Sequence, residues 1–376
     1  MDTIPFMNLK DSFPLIYDEV ISKITHLIKN TQFIGGEEVR LFEKEFASFC
    51  NSSYAVGCAN GTDAILVALK ALEIGPGDTV LVPANTFIAT SEAVTLSGAQ
   101  VDFIDVKLDT STIDPVKLEA YLERYSKERN VKAVIPVHLY GRMADMEEIG
   151  EIAKKFELKI IEDSAQAHGA KYNSHAPGFY GDIATFSFYP GKNLGAFGDA
   201  GAIVTNDHRL QAKCKSLVDH GRLGKKYEHD IEGGNMRLDT IQAAVLRIKL
   251  KYLSEWTRLR VEKATYYVEQ LPKIEAVTPP VINDGIYQTW HLFVIKAHQR
   301  DELQHYLKQH NISTGIHYPI PLHLQPAYHY KGYSKGDFPV TEELSSTILS
   351  LPFWPEITKA AINQVCNTVE EFYRNA

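Results

Sequence analysis

One lysine stands in a loop of small residues whose composition favours covalent chemistry. Lys192 is the single cation between Phe186 and Gly201, a run rich in glycine and alanine. Lysine is a strongly hydrated cation, so its confinement to a tight glycine-rich turn indicates a fixed position with a purpose. The chemistry that uses such a lysine is Schiff-base formation, in which a partly desolvated amine with a lowered pKa attacks a carbonyl. Taken alone, the run is also compatible with an exposed lysine on a surface loop.

Three other stretches carry residues that could serve the same chemistry. Asp163 follows an apolar stretch, Phe87 follows another, and Gly61-Thr62-Asp63 connects a third to an apolar helix. A glycine turn with a Thr/Asp cap at a helix N-terminus offers N–H groups and a favourable dipole to an anion, although a plain N-cap has the same pattern. Asp163 is also compatible with an N-cap or a metal ligand, but no acidic or histidine partner at ligand spacing supports a metal.

Strands that alternate with helices must position these residues. The alternation predicts an α/β fold with a largely parallel sheet that is covered on both faces. Ligands of such sheets lie beyond the carboxyl ends of the strands, and Gly61, Phe87, Asp163 and Ser187 all fall there in this interpretation. The helix after Phe87 is expected to start near Thr90 or Ser91. The predicted strands are 54–58, 79–82, 101–105, 131–137, 158–162, 184–188 and 201–205.

A lysine, a carboxylate, an anion site and an aromatic plate together match one cofactor, pyridoxal 5′-phosphate. This cofactor needs a protonated pyridine nitrogen to act as an electron sink, and a buried Asp163 would pair with it. Gly61, Thr62 and the hydroxyl of Ser187 would serve the phosphate. Phe87 would cover the ring, although a phenylalanine at this position is otherwise a core residue. A nicotinamide enzyme is disfavoured, because no GxGxxG motif opens a helix.

Length and composition place the chain among ordinary globular proteins. Its 376 residues favour two domains, and its formal net charge of −8 argues against a partner that is a nucleic acid. No basic run precedes an apolar segment and no stretch approaches about 18 apolar residues, so we expect neither a signal peptide nor a membrane span. The cysteines have neither metal-ligand nor CxxC spacing, which predicts reduced thiols in a cytoplasmic protein without a metal site. They are Cys50, Cys58, Cys214 and Cys366.

A second, smaller domain is predicted after a long helix that starts at Arg237. We place the large domain at 1–250 and the small C-terminal domain at 251–376. The small domain is expected to contain strands 290–295 and 313–318 and helix 300–309. The Pro/His-rich run 319–326 that follows is interpreted as a loop of the site.

The motifs described above resemble the DegT/DnrJ/EryC1/StrS family of sugar aminotransferases. The resemblance covers nearly the whole chain and rests on the runs 60–64, 162–169 and 187–195. It implies the aspartate-aminotransferase fold, with a mostly parallel seven-stranded sheet in the large domain and a smaller C-terminal α/β domain. It also implies pyridoxal 5′-phosphate as cofactor and a homodimer that shares its active sites.

The resemblance also implies a role for each site residue. Lys192 would form the Schiff base and move the proton, and Asp163 would pair with the pyridine nitrogen. The other expected cofactor contacts are Gly61, Thr62, Asp63, Phe87, Gln166 and Ser187, together with Asn235 reaching the phosphate of the neighbouring subunit. The expected substrate contacts are Tyr189, His317 and Tyr318, although His317 is nearly as compatible with a purely structural hydrogen bond to the backbone.

The reaction implied is transfer of an amino group from L-glutamate to a nucleotide-linked keto hexose. The run 317–326 is similar to that of enzymes for 3-keto sugars, with a 4-keto sugar as the alternative. The nucleotide stays open between dTDP and UDP, that is, a dTDP-3-keto-6-deoxyhexose or a UDP-3-keto-N-acetylhexosamine. The end product is also open among lipopolysaccharide (O-antigen), another glycan and an antibiotic. Lys192 disfavours a dehydratase, and Lys192 with Asp163 disfavours a non-catalytic regulatory protein of the same fold.

Overall fold

The computed structural model describes residues 3–224, 226–271 and 273–375, which form alternating strands and helices. The strands are β1 (Tyr54–Cys58), β2 (Thr79–Pro83), β3 (Gln100–Ile104), β4 (Val131–Val134), β5 (Lys159–Asp163), β6 (Lys171–Tyr172), β7 (Ile183–Ser187), β8 (Gly201–Thr205), β9 (Val277–Thr278), β10 (Ile286–Tyr287), β11 (Phe293–Ala297) and β12 (Ile348–Leu351). The helices are α1 (Phe13–Lys29), α2 (Glu37–Phe49), α3 (Gly61–Ala71), α4 (Ile88–Leu96), α5 (Pro115–Tyr125), α6 (Met146–Lys155), α7 (His208–Val218), α8 (Thr240–Gln270), α9 (Arg300–Gln309), α10 (Pro339–Thr347) and α11 (Lys359–Asn375).

Seven strands form one sheet in the order β1-β8-β7-β5-β4-β2-β3. The pairs from β7 to β3 are parallel, whereas β8 runs antiparallel to both of its neighbours. Every residue of β2 is buried, as expected for a parallel strand whose two faces are both covered. The predicted α/β class and the mostly parallel seven-stranded sheet are therefore confirmed.

Helices cover both faces of this sheet. On one face, α3, α4 and α7 contribute a cluster of buried aliphatic side chains that also includes residues of β2 and β3. On the other face, Phe42 and Phe46 of α2 pack against Phe186 and Phe188 of the β7 region. Apolar residues of α5 and α6 cover the β2–β5 end of that face. The carboxyl ends of the strands therefore remain as the edge at which a site can open.

The C-terminal part of the chain builds a core of its own around the antiparallel sheet β12-β11-β9. The end of α8 packs there with α9 and α11, and Tyr267, Phe293 and Phe353 lie at the centre. Helix α8 passes from the first sheet to this core without a break. The boundary between residues 250 and 251 falls inside α8 and stays a prediction.

One predicted strand of this region, 313–318, is wrong. Within it only Gly315 pairs with a strand, in an isolated bridge to Ser350. The polar groups of His317 bind side chains: its carbonyl accepts from the Tyr140 hydroxyl, and its ring contacts the side chain of Ser350. Because a side chain and not a neighbouring strand binds the backbone carbonyl of His317, the pairing at Gly315 does not continue through residues 316–318.

Two helices also begin at residues other than those predicted. Helix α4 starts at Ile88, so Thr90 lies inside its first turn and is not its cap. Helix α8 starts at Thr240, because Arg237 instead forms a bridge to Cys58 and an ion pair with Asp219. Strand β4 ends at Val134, shorter than the predicted 131–137.

Two structural observations concern the cysteines and the question of membrane spans. All four cysteines are buried and free. Among the described residues, no helix is both long and apolar enough to cross a bilayer. The longest of them, α8, carries charged residues from Arg247 onward.

Candidate active site

The residues singled out in the sequence meet in one cavity of about 820 Å³ at the carboxyl edge of the large sheet. This volume is within the range of small-molecule sites. Eleven of the twelve predicted site residues line it: Gly61, Thr62, Asp63, Phe87, Asp163, Gln166, Ser187, Tyr189, Lys192, His317 and Tyr318. The twelfth, Asn235, is exposed and pairs with Asp219 in an isolated bridge, and it is not among the lining residues.

Asp163 is the last residue of β5, and its carboxylate is fixed from two sides. The Thr90 hydroxyl donates to Oδ2 at 2.7 Å, and the Ala165 N–H donates to Oδ1 at 3.1 Å. The residue is 4% exposed, so its carboxyl group is held away from solvent. Hydrogen bonds to an ionised carboxylate are stronger than neutral ones and maintain its position.

The loop that carries Lys192 is tight. The N–H of Lys192 donates to the carbonyl of Tyr189 at 2.8 Å, which closes a turn. A Cβ at Gly195 would overlap the carbonyl of Pro190, so this turn requires glycine. The amine of Lys249 on α8 donates to the carbonyl of Gly195 and anchors the loop. Burial lowers the pKa of that amine to about 8.

The amine of Lys192 combines reactivity with a nearby negative charge. Burial lowers the pKa of Lys192 to about 8, and the charge of Asp163 opposes this shift. A lowered pKa increases the neutral fraction of the amine, which is the nucleophilic form. The run around Lys192 therefore does not form an ordinary surface loop.

The N-terminus of α3 faces Ser187. A Cβ at Gly61 would lie 2.6 Å from the Cβ of Ser187, so only glycine allows the helix to approach β7 this closely. The side chain of Asn60 caps the helix by accepting from the N–H of Asp63 at 2.8 Å and donating to its carboxylate at 2.9 Å. Asp63 is thus committed to the cap, and the N–H groups of Gly61 and Thr62 remain for an incoming anion.

Gln166 links the large sheet to the C-terminal region. Its Oε1 accepts from the N–H of Tyr140 at 2.7 Å, and its Nε2 donates to the hydroxyl of Tyr318 at 3.2 Å. Burial raises the pKa of the Tyr318 phenol, and Asp163 adds to the shift. Tyr318 therefore stays a neutral hydrogen-bonding group in the cavity.

Two aromatic side chains of the cavity are open to solvent. Phe87 is 55% exposed and Tyr189 60% exposed, although both are large. Phe87 is tilted against Tyr318 with ring centroids 5.7 Å apart. Phe87 is therefore not a core residue, and one face of its ring is open to the cavity.

Sequence reasoning missed several residues of the cavity. Thr90 was interpreted as a helix start, although a polar residue in the first turn after Phe87 was a usable signal. His291 lines the cavity with Nδ1 3.2 Å from Oδ1 of Asn193, and burial lowers its pKa well below the usual range. Phe6, Met7, Thr86 and Asp199 also line it, and no local pattern marks them.

Comparisons with known proteins show the family to which this chain is related. The DegT/DnrJ/EryC1/StrS aminotransferase family matches residues 14–370. A solved structure of S. venezuelae DesV in complex with a ketimine intermediate superposes with a TM-score of 0.95, at 39% identity and 99% coverage of both chains. The predicted resemblance, fold and enzyme class are therefore confirmed.

Three curated relatives span almost the whole chain. The dTDP-3-amino-3,6-dideoxy-alpha-D-galactopyranose transaminase of Aneurinibacillus thermoaerophilus is 42% identical and covers 98% of this chain and 99% of its own. The UDP-N-acetyl-3-dehydro-alpha-D-glucosamine 3-aminotransferase of Acidithiobacillus ferrooxidans is 39% identical, with 97% of each chain covered. A pleiotropic regulatory protein of Geobacillus stearothermophilus is 41% identical, with 99% of each covered. On these matches, this chain belongs to the DegT/DnrJ/EryC1/StrS aminotransferases, whose cofactor is pyridoxal 5′-phosphate.

Proposed function

We propose that this aminotransferase moves the amino group of L-glutamate to the keto group of a nucleotide-linked 3-keto hexose. The hexose is of the dTDP-3-keto-6-deoxyhexose or the UDP-3-keto-N-acetylhexosamine type. The observation that carries the proposal is that Lys192, Asp163 and the α3 N-terminus line the same cavity as His317 and Tyr318. Its volume of about 820 Å³ leaves room for a sugar beside a cofactor.

The donor set of the cavity fits pyridoxal 5′-phosphate. A dianionic phosphate fits the N–H groups of Gly61 and Thr62 and the hydroxyl of Ser187, which the close approach of α3 to β7 at Gly61 brings to one side of the cavity. A protonated pyridine nitrogen fits the desolvated carboxylate of Asp163, and the exposed ring of Phe87 offers a flat apolar face. When bound, the cofactor supplies an electron sink for the carbon that loses or gains the amino group.

Each residue of the strand ends then has a role in the proposed reaction. Lys192, with its pKa lowered to about 8, would hold the cofactor covalently and would carry the proton to and from the reacting carbon. Asp163 would pair with the protonated pyridine nitrogen, and the Thr90 hydroxyl, which donates to Oδ2 at 2.7 Å, fixes the orientation of that carboxylate. Gln166 adds a contact at the ring hydroxyl.

The proposed sugar contacts come from Tyr189, His317 and Tyr318. Burial and the charge of Lys192 lower the pKa of His317 to about 4, so its imidazole is neutral and can offer one ring nitrogen to a sugar oxygen. The names of the Aneurinibacillus and Acidithiobacillus relatives both place the amino group at carbon 3, which supports a 3-keto substrate. A 4-keto sugar is the alternative.

A non-catalytic regulatory protein is the alternative of a different class. The name of the Geobacillus relative draws attention to it. Such a protein has no need for a reactive lysine and an oriented carboxylate, whereas Lys192 and Asp163 line one cavity here. Their retention favours catalysis. We also place the enzyme in the cytoplasm, in keeping with its four free thiols.

We further propose a homodimer in which Asn235 serves the phosphate site of the partner subunit. Asn235 is exposed and outside the cavity of its own chain, which supports this role. The test mixes inactive Lys192→Ala chains with Asn235→Ala chains. If each Asn235 serves the other subunit, mixed dimers contain one intact site and activity rises above that of either parent. If Asn235 serves its own chain, mixing gives no gain.

The reaction itself is tested by product analysis. The holoenzyme is incubated with L-glutamate and, separately, with dTDP- and UDP-linked 3-keto and 4-keto hexoses. Mass spectrometry detects the amino sugar, and NMR locates the new amine. We expect an amine at carbon 3 and one molecule of 2-oxoglutarate per amino sugar. An amine at carbon 4 only would overturn the regiochemistry, and the absence of every amino sugar would overturn the substrate class.

A further inference from the structure

The N-terminal segment enters the cavity, although no motif in the sequence indicates this. Ile4 exchanges two backbone hydrogen bonds of 2.9 and 3.0 Å with the loop after α9. The carbonyl of Phe6 accepts from the N–H of Phe353 at 3.0 Å. These bonds fix the segment against the C-terminal core, and Phe6 and Met7 then line the cavity.

The imidazole of His317 is held on several sides. Its ring stacks on that of Phe6, with centroids 5.6 Å apart and an angle of 19° between the planes. Its Nδ1 lies 2.8 Å from the hydroxyl of Ser350. A Cβ at Gly315 would lie 2.8 Å from Cε1, so glycine at this position leaves space for the ring. The Tyr140 hydroxyl holds the carbonyl of the same residue.

These supports belong to a fixed framework. Gly315 and Ser350 exchange backbone hydrogen bonds of 3.0 and 2.8 Å. These bonds fix the distance between the two residues that contact the His317 ring. When the Ser350 hydroxyl donates to Nδ1, the ring proton resides on Nε2. His317 lines the cavity, and Nε2 is the ring nitrogen that this arrangement leaves for a ligand.

We propose that Phe6 and Ser350 are positioning residues that fix the His317 imidazole so that its Nε2–H donates to an oxygen of the sugar. The inference rests on the proposed function, because it names the part of the chain that orients a substrate contact. We call Phe6, Met7, His317 and Tyr318 the composite wall. In this wall a segment from the start of the chain determines how a residue near its end meets the substrate.

A purely structural role makes a different prediction. If Phe6 only closed the cavity, its loss would weaken the cofactor and both substrates together, and would do so whether or not His317 is present. If it acts through His317, the effect is confined to the sugar and disappears once the imidazole is removed.

The chain offers a matched control for the stacking interaction. Phe179 stacks on His175 with ring centroids 3.5 Å apart and an angle of 9° between the planes. Neither residue lines the cavity. Phe179→Ala therefore removes an aromatic ring from an imidazole without touching the composite wall.

The experiment compares holoenzymes in the half-reaction from the pyridoxamine form. The probes are dTDP-linked 3-keto-6-deoxyglucose and UDP-linked 3-keto-N-acetylglucosamine. Phe6→Ala should raise the sugar concentration for half-maximal rate roughly two- to tenfold, the range expected for one aromatic contact. Ser350→Ala should also raise this concentration. Phe6→Tyr keeps an aromatic ring and should therefore have the wild-type value. Cofactor affinity, measured by fluorescence quenching, should be unchanged, as should every value for Phe179→Ala.

A double-mutant cycle decides between the two roles. The double variant Phe6→Ala/His317→Ala should need no higher sugar concentration for half-maximal rate than His317→Ala alone. Additive losses, or a parallel fall in cofactor affinity, would overturn the inference. If wild-type enzyme converts neither probe, the proposed function and the inference fail together. If it converts one and Phe6→Ala behaves as Phe179→Ala does, the inference alone fails.

Discussion

Two parts of the same cavity are built in different ways. One is the strand-end cluster, which consists of Gly61, Phe87, Asp163, Ser187 and Lys192. Each of its members lies at or just after the carboxyl end of a strand in one sheet. The other is the composite wall, whose members come from the first residues of the chain and from the loop at 317–318.

The difference shows what a sheet contributes to a site and what it leaves to the rest of the chain. A parallel sheet brings strand ends together whatever lies between them in sequence, so each short motif there acts locally. The composite wall exists only because residues 4–6 bind to the C-terminal core and present Phe6 to His317. We therefore expect the first part to control the cofactor and the second to control the sugar.

The largest effect should follow from removing the lysine. Lys192→Ala should lower turnover by at least roughly 10⁴-fold, because covalent attachment and proton transfer are both lost. Steady-state release of 2-oxoglutarate measures the loss, and Lys44→Ala, at an exposed lysine of α2, is the control. Turnover near the wild-type rate would remove Lys192 from the mechanism. His317→Ala should instead retain the reaction with L-glutamate.

Asp163→Ala should have the next largest effect. Loss of the carboxylate leaves the pyridine nitrogen without its partner in a desolvated site, which costs roughly 10²- to 10⁴-fold in rate. Single-turnover kinetics with L-glutamate measure this step without any sugar. A variant with a near-normal rate would show that another carboxylate serves the ring. Phe6→Ala, in the composite wall, should leave this half-reaction close to normal.

The pKa of Lys192 predicts how the apoenzyme reacts with amine reagents. Its pKa is lowered to about 8, so the neutral amine dominates above that pH, and reactivity should fall roughly tenfold per pH unit below it. Pulse labelling with acetic anhydride, read by mass spectrometry against exposed Lys44, gives the midpoint. Asp163→Ala should move the midpoint to lower pH, because the opposing negative charge is gone. A midpoint above pH 10 would contradict the assigned burial.

Gly61→Ala, in the strand-end cluster, should weaken cofactor affinity, whereas Phe6→Ala in the composite wall should not. The added Cβ would lie 2.6 Å from that of Ser187, and overpacking of this kind corresponds to a roughly 5- to 150-fold weaker affinity. Gly150→Ala in α6 is the control, since its Cβ would meet nothing within 4 Å. That variant should raise the free energy of unfolding by about 0.5–1 kcal/mol without changing cofactor affinity. Equal cofactor affinities for both variants would show that the close approach of Gly61 to Ser187 does not position the phosphate site.

The strand-end cluster could be predicted from the sequence because its signals are local. Apolar strands, the glycine turn at Gly61 and the glycine-rich loop of Lys192 each fit within about ten residues, and the sheet assembles them. The predicted Thr/Asp cap was wrong in detail, because Asn60 caps α3. The contact of Thr90 with Asp163 depends on the exact start of α4, which sequence patterns place only within a few residues.

The composite wall could not be predicted in the same way. The predicted strand 313–318 was wrong because the Tyr140 hydroxyl binds the backbone carbonyl of His317, and Tyr140 lies far away in the sequence. The sequence around Phe6 has no distinctive pattern, and only the contacts of Phe6 in the folded chain assign it to the cavity. The role of Asn235 depends on a second subunit and stays a prediction.

The most direct test of the central claim is single-turnover amino transfer from the pyridoxamine form of the enzyme to dTDP- and UDP-linked 3-keto and 4-keto sugars. Return of the absorbance of the aldehyde form of the cofactor reports the transfer. We predict that the absorbance returns with a 3-keto sugar and with neither 4-keto sugar. Return with a 4-keto sugar alone would contradict the assignment of the substrate, and no return with any of the four would contradict the claim that the cavity accepts nucleotide-linked sugars.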